Sequence, residues 1–268
     1  MKAIILAGGK GTRLRPYTTI FPKPLVPIGN RPIIDIVVHQ LAYYGFTQVV
    51  LSVGHLAELI QAYFHSKQHE YPTVELSYVR EATPLGTAGP VRLVPGLSDA
   101  PFLVMNGDVL TTLDYAKMMA FHCASGSLLT LGVYQKRIKI DLGVIETDVT
   151  GQVVGFTEKP EKTFPVSIGI NIYSPPVLEY IAPNEYLDFP ALVERLVAQG
   201  ERVMSYTCDG YWLDIGNQDD YMKAQEEFED RKPEFLPVLS PVHDPVKAAT
   251  SSPMPDSPSN PPSTAAQK

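Results

Sequence analysis

Short apolar runs alternate with segments that carry apolar residues at helical spacing through the first half of this 268-residue chain. The apolar runs predict four β-strands, at Lys2–Ala7, Gln48–Val53, 74–78 and 102–105. Helical spacing predicts α-helices at 32–44 and 55–64, and Pro32 suits the first turn of the first helix. Strands that alternate with helices indicate a mostly parallel sheet covered by helices on both faces.

The second half of the chain changes character, because its predicted strands follow one another with turns between them. We predict strands at 128–134, 143–147, Val153–Thr157, 168–173 and 202–206, helices near 176–181 and 188–198, and a closing helix near 218–229. From residue 231 the chain is rich in Pro, Ser, Ala and Thr and has no apolar pattern, so residues 231–268 are expected to be disordered. A linker and a partner-binding tail are the alternatives.

The composition narrows the class of protein. Hydrophobic residues make up 44% and charged residues 19%, which is typical of a globular protein. The net charge of −7 argues against a broad nucleic-acid-binding surface. Cys123 and Cys208 are too few for a disulfide framework or a cysteine zinc site. No apolar stretch approaches the ~20 residues that span a bilayer, and the first apolar run is too short for a signal peptide, so a cytoplasmic protein without membrane contact is expected.

The first predicted strand ends in a glycine-rich basic segment, GGKGTRLRP at 8–16, and FPKPL follows at 21–25. Glycines let backbone N–H groups approach a phosphate closely, and basic side chains add charge-assisted hydrogen bonds. The segment is neither a Walker P-loop, because Gly11 separates Lys10 from Thr12, nor a dinucleotide fingerprint, because 13–16 lacks a third glycine. An ordinary turn with surface arginines would leave unexplained why Lys23 lies between two prolines.

Two aspartates follow apolar segments elsewhere in the chain. Asp108 ends the Asn-Gly-Asp sequence after the fourth predicted strand, and Asp214 lies in Trp-Leu-Asp-Ile-Gly at 212–216. Ligands of parallel sheets bind at the carboxyl ends of the strands, so we expect the glycine loop and Asp108 to share one cleft. Either aspartate alone is more often a turn or cap residue. Two carboxylates together with phosphate oxygens and water suit Mg²⁺.

Taken together, these motifs resemble the signature of the sugar-1-phosphate nucleotidylyltransferases, which join a nucleoside triphosphate to a sugar 1-phosphate and release pyrophosphate. The resemblance covers about 1–228. It implies a Rossmann-like α/β fold of three layers, α/β/α, around a mixed, mostly parallel central sheet. It also implies one domain over 1–230, in which 1–125 mainly binds the nucleotide and 126–230 mainly binds the sugar phosphate. The metal would be Mg²⁺, with Asp108 and Asp214 as its ligands.

The same resemblance assigns roles to individual residues. Arg13 would stabilise the triphosphate, and Lys23 would contact the phosphates of the reacting pair. The implied nucleotide-binding residues are Leu6, Ala7, Gly8, Gly9, Gly11, Thr12, Glu81, Pro84, Gly86, Thr87 and Asn106. The implied sugar-phosphate-binding residues are Gly107, Gly143, Glu158, Lys159, Gly169 and Asn171. Among these, Lys159 would hold the sugar phosphate and Glu158 would accept hydrogen bonds from ring hydroxyls.

The identity of the base and the sugar depends on finer features. Members of this family that use thymidine or uridine triphosphate often carry a glutamine where this chain has Glu81. A carboxylate only accepts hydrogen bonds, which suits the N1–H and N2–H₂ donors of guanine, so GTP is favoured over dTTP or UTP. Ser167 and Asn171 replace an asparagine and a tyrosine that are usual in mannose-specific relatives. Heptose, mannose and pseudo-sugar 1-phosphates therefore remain open, as does glucose 1-phosphate with dTTP or UTP.

Two other classes of function compete with this interpretation. A non-catalytic relative that binds sugar nucleotides would be expected to have lost Arg13, Lys23 or a metal carboxylate, and all are present. A glycosyltransferase would carry Asp-x-Asp where 106–108 has a single acid. Apolar segments of the second half fit a homo-oligomer face as well as they fit the core, so oligomeric state stays open.

Overall fold

The computed structural model describes residues 1–9 and 11–239 of the chain. The strands in this part are β1 (Lys2–Ala7), β2 (Pro27–Ile28), β3 (Arg31–Pro32), β4 (Gln48–Val53), β5 (Glu75–Arg80), β6 (Phe102–Asn106), β7 (Val109–Thr111), β8 (Leu129–Lys139), β9 (Val144–Thr147), β10 (Val153–Thr157), β11 (Glu161–Tyr173), β12 (Val203–Thr207) and β13 (Trp212–Asp214). The α-helices are α1 (Ile33–Tyr43), α2 (Ala57–Lys67), α3 (Tyr115–Ser125), α4 (Phe189–Ala198) and α5 (Gln218–Phe235).

Seven strands form the central sheet, in the order β12-β8-β11-β6-β1-β4-β5. Each neighbouring pair is parallel except those that involve β11, which is antiparallel to both β6 and β8. Three small antiparallel pairs, β2–β3, β7–β13 and β9–β10, lie outside this sheet. The predicted mixed, mostly parallel sheet is therefore confirmed.

The alternation of side chains along β1 explains the two layers that cover the sheet. Ala3, Ile5 and Ala7 pack into a core cluster that also contains apolar residues of α1, α2 and α3. Ile4 points to the opposite face and joins a second cluster, which includes residues of α4 and of the 3₁₀ segments before it. Because successive residues face opposite sides and both sides are buried, the strand reads as a continuous apolar run.

The closing helix α5 builds a third cluster, against the segment that carries Lys23 and its neighbours. The prediction ended the ordered part at residue 230, but α5 continues to Phe235. Phe235 is fully buried, and its ring stacks on Phe228 with centroids 5.7 Å apart. This burial holds the last turn of the helix in place although the local sequence is polar. The rest of the expected disordered tail, 240–268, lies outside the described residues.

Several elements differ from the sequence prediction. The segment near 176–181 is a 3₁₀ helix, Pro175–Tyr180, which opens with two prolines that lack amide donors. Helix α3 and the three-residue strands β7 and β13 had not been predicted. The end of β8 and the start of β11 extend past the other strands of the sheet and pair only with each other. This extension and the pair β9–β10 form an exposed arm over 136–165. Within the described ranges, every helix is too short or too polar to cross a bilayer.

Candidate active site

The carboxyl ends of β1, β4 and β6 meet at one edge of the sheet, where glycines allow close backbone contact. A Cβ at Gly54, which follows β4, would lie 2.9 Å from the carbonyl oxygen of Gly8. The amide of Gly107, after β6, donates to the carbonyl of Leu6 at 3.0 Å. A cavity of about 550 Å³ opens there, within the size range of small-molecule sites. Its lining residues are Leu6, Ala7, Gly8, Gly9, Lys23, Pro24, Gly54, His55, Glu81, Ala82, Thr83, Pro84, Gly86, Thr87, Asn106, Gly107, Asp108 and Tyr186.

Gly11 joins the glycine loop to the segment that carries Lys23. Its φ of +62° lies in the left-handed region that favours glycine, and a Cβ would lie 2.8 Å from Lys23 Cβ and 2.9 Å from Thr18 Cγ2. The Thr18 hydroxyl donates to the Gly11 carbonyl at 2.7 Å. No side chain larger than hydrogen fits at this position, so the glycine sets how closely Lys23 approaches the loop.

Lys23 and Asp108 form an ion pair at the wall of the cavity. Lys23 is only 8% exposed, although a lysine is rarely buried unless it is paired. Asp108 lies two residues after the end of β6 and lines the cavity. The pair therefore puts one fixed cation and one carboxylate at the place where phosphate groups were expected.

Asp214 reaches the same place through the short pair β7–β13, in which Asp214 lies opposite Val109. The amide of Ile215 also donates to the carbonyl of Asp108, at 3.1 Å. Burial raises the pKa of Asp214, and the negative charge of Asp108 raises this pKa further, while Lys23 and Arg13 oppose the shift. The carboxylate of Asp108 is thus close enough to that of Asp214 to disfavour its charged form.

This donor set fits a divalent cation. Hard ions such as Mg²⁺ take carboxylate oxygens and keep several water or phosphate ligands, so two protein carboxylates are sufficient. Among the described residues there is no group of three or more His, Cys, Asp or Glu side chains placed to hold a metal. The remaining ligands would have to be substrate oxygens and water.

Arg13 lies close to Asp214 and does not line the cavity. It belongs to the 3₁₀ turn Thr12–Leu14, and its side chain is exposed. A Cβ at Gly216 would lie 3.1 Å from Asp214 Oδ2 and 3.5 Å from Arg13 Nη1, which places the guanidinium and the carboxylate around the same glycine. Gly11, Thr12 and Asp214, like Arg13, are not among the residues that line the cavity.

Glu81 lines the cavity and also holds the loop that follows β5. Its Oε2 accepts a hydrogen bond from the Leu85 amide at 3.0 Å, and its Oε1 accepts one from the Ser52 hydroxyl at 3.4 Å. A Cβ at Gly8 would lie 2.8 Å from Glu81 Oε1. The carboxylate therefore sits directly against the glycine loop, with lone pairs left for a further donor.

A second, smaller cavity of about 230 Å³ adjoins the first and shares Leu6, Thr87 and Asn106 with it. Two of the residues predicted to bind the sugar phosphate, Gly169 and Asn171, line this second cavity. Gly169 has a φ of +70°, and a Cβ there would lie 2.5 Å from Asn106 Nδ2. The glycine thus leaves room for the Asn106 side chain between the two cavities.

Gly143, Glu158 and Lys159 lie on the arm and line neither cavity. They are close to one another, because a Cβ at Gly143 would lie 3.1 Å from Glu158 Oε2. Lys159 has a φ of +46°, which is uncommon for a residue with a side chain. The structure brings the other predicted residues to one edge of the sheet and leaves these three as a separate, exposed group.

Six residues that line the first cavity were not among the site residues predicted from the sequence: Pro24, Gly54, His55, Ala82, Thr83 and Tyr186. Gly54 and His55 directly follow β4, so the rule that ligands bind at the carboxyl ends of parallel strands could have identified them. Tyr186 carries no such signal. Tyr186 reaches the cavity because the next residue, Leu187, is bonded to the loop that follows β5. The amide of Leu187 donates to the carbonyl of Leu85 at 3.0 Å.

Comparison with known proteins places this geometry in context. The family described as "Nucleotidyl transferase" matches residues 2–231. A mannose-1-phosphate guanyltransferase of Candida albicans is 35% identical over 84% of this chain and 63% of its own length. A UTP–glucose-1-phosphate uridylyltransferase of Synechocystis sp. is 34% identical over 84% of this chain and 62% of its own. The chain therefore spans less than two thirds of the length of these relatives.

A solved structure shares the fold over nearly its full length. HddC from Yersinia pseudotuberculosis, crystallised with GMP-PN, superposes with a TM-score of 0.61 and is 26% identical. The match covers 85% of this chain and 99% of that one.

Proposed function

The chain belongs to the nucleotidyl transferase family, and we propose that it transfers a nucleotidyl group from a nucleoside triphosphate to a sugar 1-phosphate, releasing pyrophosphate. The observation that carries the proposal is the convergence of Lys23, Asp108, Asp214 and Arg13 beside a glycine-walled cavity of about 550 Å³. In the proposed reaction a phosphate oxygen of the sugar 1-phosphate attacks the α-phosphorus. One P–O bond forms as the bond to the β-phosphate breaks, and the electron pair leaves with pyrophosphate.

Positioning and charge neutralisation are the main tasks of the protein in this reaction, because the attacking phosphate is already an anion. Lys23, held beside the cavity by Asp108, is placed to donate to incoming phosphate oxygens. Arg13, exposed beside Asp214, is placed to stabilise charge that grows on the departing pyrophosphate. Removing a preorganised donor of this kind typically costs about 2.7–4 kcal/mol of transition-state stabilisation.

Mg²⁺ is the proposed metal, with Asp108 and Asp214 as its protein ligands. When bound, such an ion neutralises phosphate charge and orients the reacting groups. The position of Asp214 supports this assignment, because burial and the nearby charge of Asp108 raise its pKa, and a bound cation would offset both effects.

GTP is the proposed nucleotide. Glu81 is the supporting residue, because its acceptor-only carboxylate faces the cavity and matches the N1–H and N2–H₂ donors of guanine. The guanyltransferase name of the Candida albicans relative agrees, while the uridylyltransferase of Synechocystis keeps UTP as the alternative. The cytoplasmic location remains a prediction from the sequence, and the oligomeric state remains open.

Pyrophosphate release tests the proposal directly. The purified chain is mixed with Mg²⁺, one of GTP, UTP or dTTP, and one of mannose, glucose or heptose 1-phosphate, and the sugar nucleotide is identified by mass spectrometry. We expect product with GTP, and loss of product in Lys23→Met. Lys117→Met is the matched control, because Lys117 is 77% exposed and lies on α3 away from the cavity. Binding without product for every pair would instead favour a non-catalytic sugar-nucleotide-binding protein.

A further inference from the structure

The segment 182–188, which leads into α4, is braced from two sides. On the side of α4, the guanidinium of Arg195 donates to both carboxylate oxygens of Glu185, at 2.7 Å and 3.2 Å. The same carboxylate accepts a hydrogen bond from the amide of Ala182 at 2.9 Å, which closes the segment on itself. A two-pronged contact between an arginine and a carboxylate fixes direction as well as distance. The segment is therefore held in one position against α4.

The other side of the segment is joined to the loop that follows β5. Besides the bond from the Leu187 amide to Leu85, the carbonyl of Leu187 accepts hydrogen bonds from the amides of Ala88, at 2.9 Å, and Gly89, at 3.0 Å. Backbone bonds of this kind tie the two segments together on both sides of one residue. The neighbouring residue, Tyr186, is thereby held beside the loop that lines the first cavity.

The side chain of Tyr186 is both fixed and open. Its hydroxyl donates to Asp188 Oδ2 at 2.9 Å, and Asp188 Oδ1 accepts from the Thr87 hydroxyl at 3.5 Å. The hydrogen bond to Asp188 raises the pKa of Tyr186, so the hydroxyl stays protonated and remains a donor. Tyr186 lines the first cavity and is 63% exposed. With its polar end already paired, the ring has its apolar surface left to offer a ligand.

The direction of a bound nucleotide decides which part of it meets this ring. The phosphate groups are proposed to bind beside Lys23 and Asp108, so the base lies toward the loop after β5, where Glu81 is proposed to contact its edge. Tyr186 is bonded to that same loop through its neighbour. Hydrogen bonds use the edge of a base and leave its two faces free, and a base stacks well on an aromatic side chain.

We propose that the ring of Tyr186 is an aromatic surface on which the base of the nucleoside triphosphate stacks. This inference rests on the proposed function and adds a binding residue to it. The two side chains divide the recognition of the base. Glu81 contacts the edge of the base and selects its identity, whereas Tyr186 contacts a face and contributes affinity.

The test is calorimetric titration of the purified chain with GTP and Mg²⁺ in the absence of sugar phosphate, or with UTP if UTP is the triphosphate that the chain binds. Tyr186→Ala removes the ring and should raise the Kd about 5- to 150-fold. Tyr186→Phe keeps the ring and removes only the bond to Asp188, so its Kd should stay within about threefold of the unmodified value. A structural role of that hydrogen bond would instead make the two variants equally weak.

A ligand without a base provides the first control. Inorganic tripolyphosphate binds to the phosphate side alone, so Tyr186→Ala should change its Kd less than about threefold. Phe156→Ala is the matched control variant, because it removes a ring of similar exposure, 64%, from the arm, where Phe156 lines neither cavity. It should leave the Kd for GTP unchanged. Thermal unfolding verifies that each variant is folded.

The outcomes separate this inference from the proposed function. An unchanged Kd for the triphosphate in Tyr186→Ala, equal weakening in Tyr186→Phe, or equal weakening of tripolyphosphate would overturn the inference alone. Failure of the unmodified chain to bind any nucleoside triphosphate would overturn the proposed function as well.

Discussion

Replacing Gly11 with alanine should separate the glycine loop from Lys23. A residue with a side chain in the left-handed region costs about 1–2 kcal/mol, and Gly11 has a φ of +62°. The added methyl group would lie 2.8 Å from Lys23 Cβ and 2.9 Å from Thr18 Cγ2, and overpacking of this kind costs about 1–3 kcal/mol. We therefore expect Gly11→Ala to lower the free energy of unfolding by about 2–5 kcal/mol.

Gly126 offers a matched control for the backbone contribution. Its φ is +60°, almost that of Gly11, but no atom lies within 4 Å of where a Cβ would be. Gly126→Ala should cost only the backbone term, about 1–2 kcal/mol. Urea unfolding followed by the fluorescence of Trp212, the chain's one tryptophan, measures both variants. The difference between the two losses of unfolding free energy gives the cost of the contact with Lys23 and Thr18.

Enzymatic activity provides a second comparison of Gly11→Ala with Gly126→Ala. If Gly11 sets the position of Lys23, Gly11→Ala should lower kcat for pyrophosphate release by about tenfold or more, while Gly126→Ala leaves it unchanged. Equal losses of stability in the two variants would refute the packing argument. Full turnover in a folded Gly11→Ala variant would show that the glycine does not position Lys23.

Three further predictions follow from the fold and the site. Arg13→Ala and Lys23→Ala should each lower turnover about 10²–10³-fold in pyrophosphate assays, without a large change in melting temperature. Phe235→Ala should cost about 3–5 kcal/mol in urea unfolding, because it removes a buried ring stacked on Phe228; a cost under about 1 kcal/mol would show that α5 ends earlier. Burial lowers the pKa of His122, so the neutral ring stabilises the fold above pH 6.5, and this stabilisation is lost as the pH falls below 6.5. Below pH 6.5, His122→Gln should therefore reduce the slope of the unfolding free energy against pH, by at most about 1.4 kcal/mol per pH unit.

The sequence was most informative where one strand is buried on both faces. β1 and β4 have the predicted bounds because successive residues face opposite cores, as Ile4 and Ile5 do in β1 and Val49 and Val50 do in β4, which produces an uninterrupted apolar run. The rule for parallel sheets also predicted that the glycine loop and Asp108 would share a cleft, and they do.

Features that depend on contacts distant in sequence could not be predicted. β13 is only three residues long, so the pairing that brings Asp214 to Asp108 leaves no local pattern. The burial of Phe235 depends on contacts with the rings of Phe228 and Tyr211, not on the polar sequence around it. The second cavity becomes visible only once the register of β11 against β6 is known.

Locating the bound metal ion is the sharpest test of the proposed site. A crystal of the chain grown with Mn²⁺ and a non-hydrolysable GTP analogue would give an anomalous-scattering peak at each bound manganese ion. We expect a peak with one carboxylate oxygen from Asp108 and one from Asp214 within about 2.5 Å, and with phosphate oxygens of the nucleotide completing the coordination of the ion. A manganese ion bound by the nucleotide alone, with neither aspartate in its coordination shell, would contradict it.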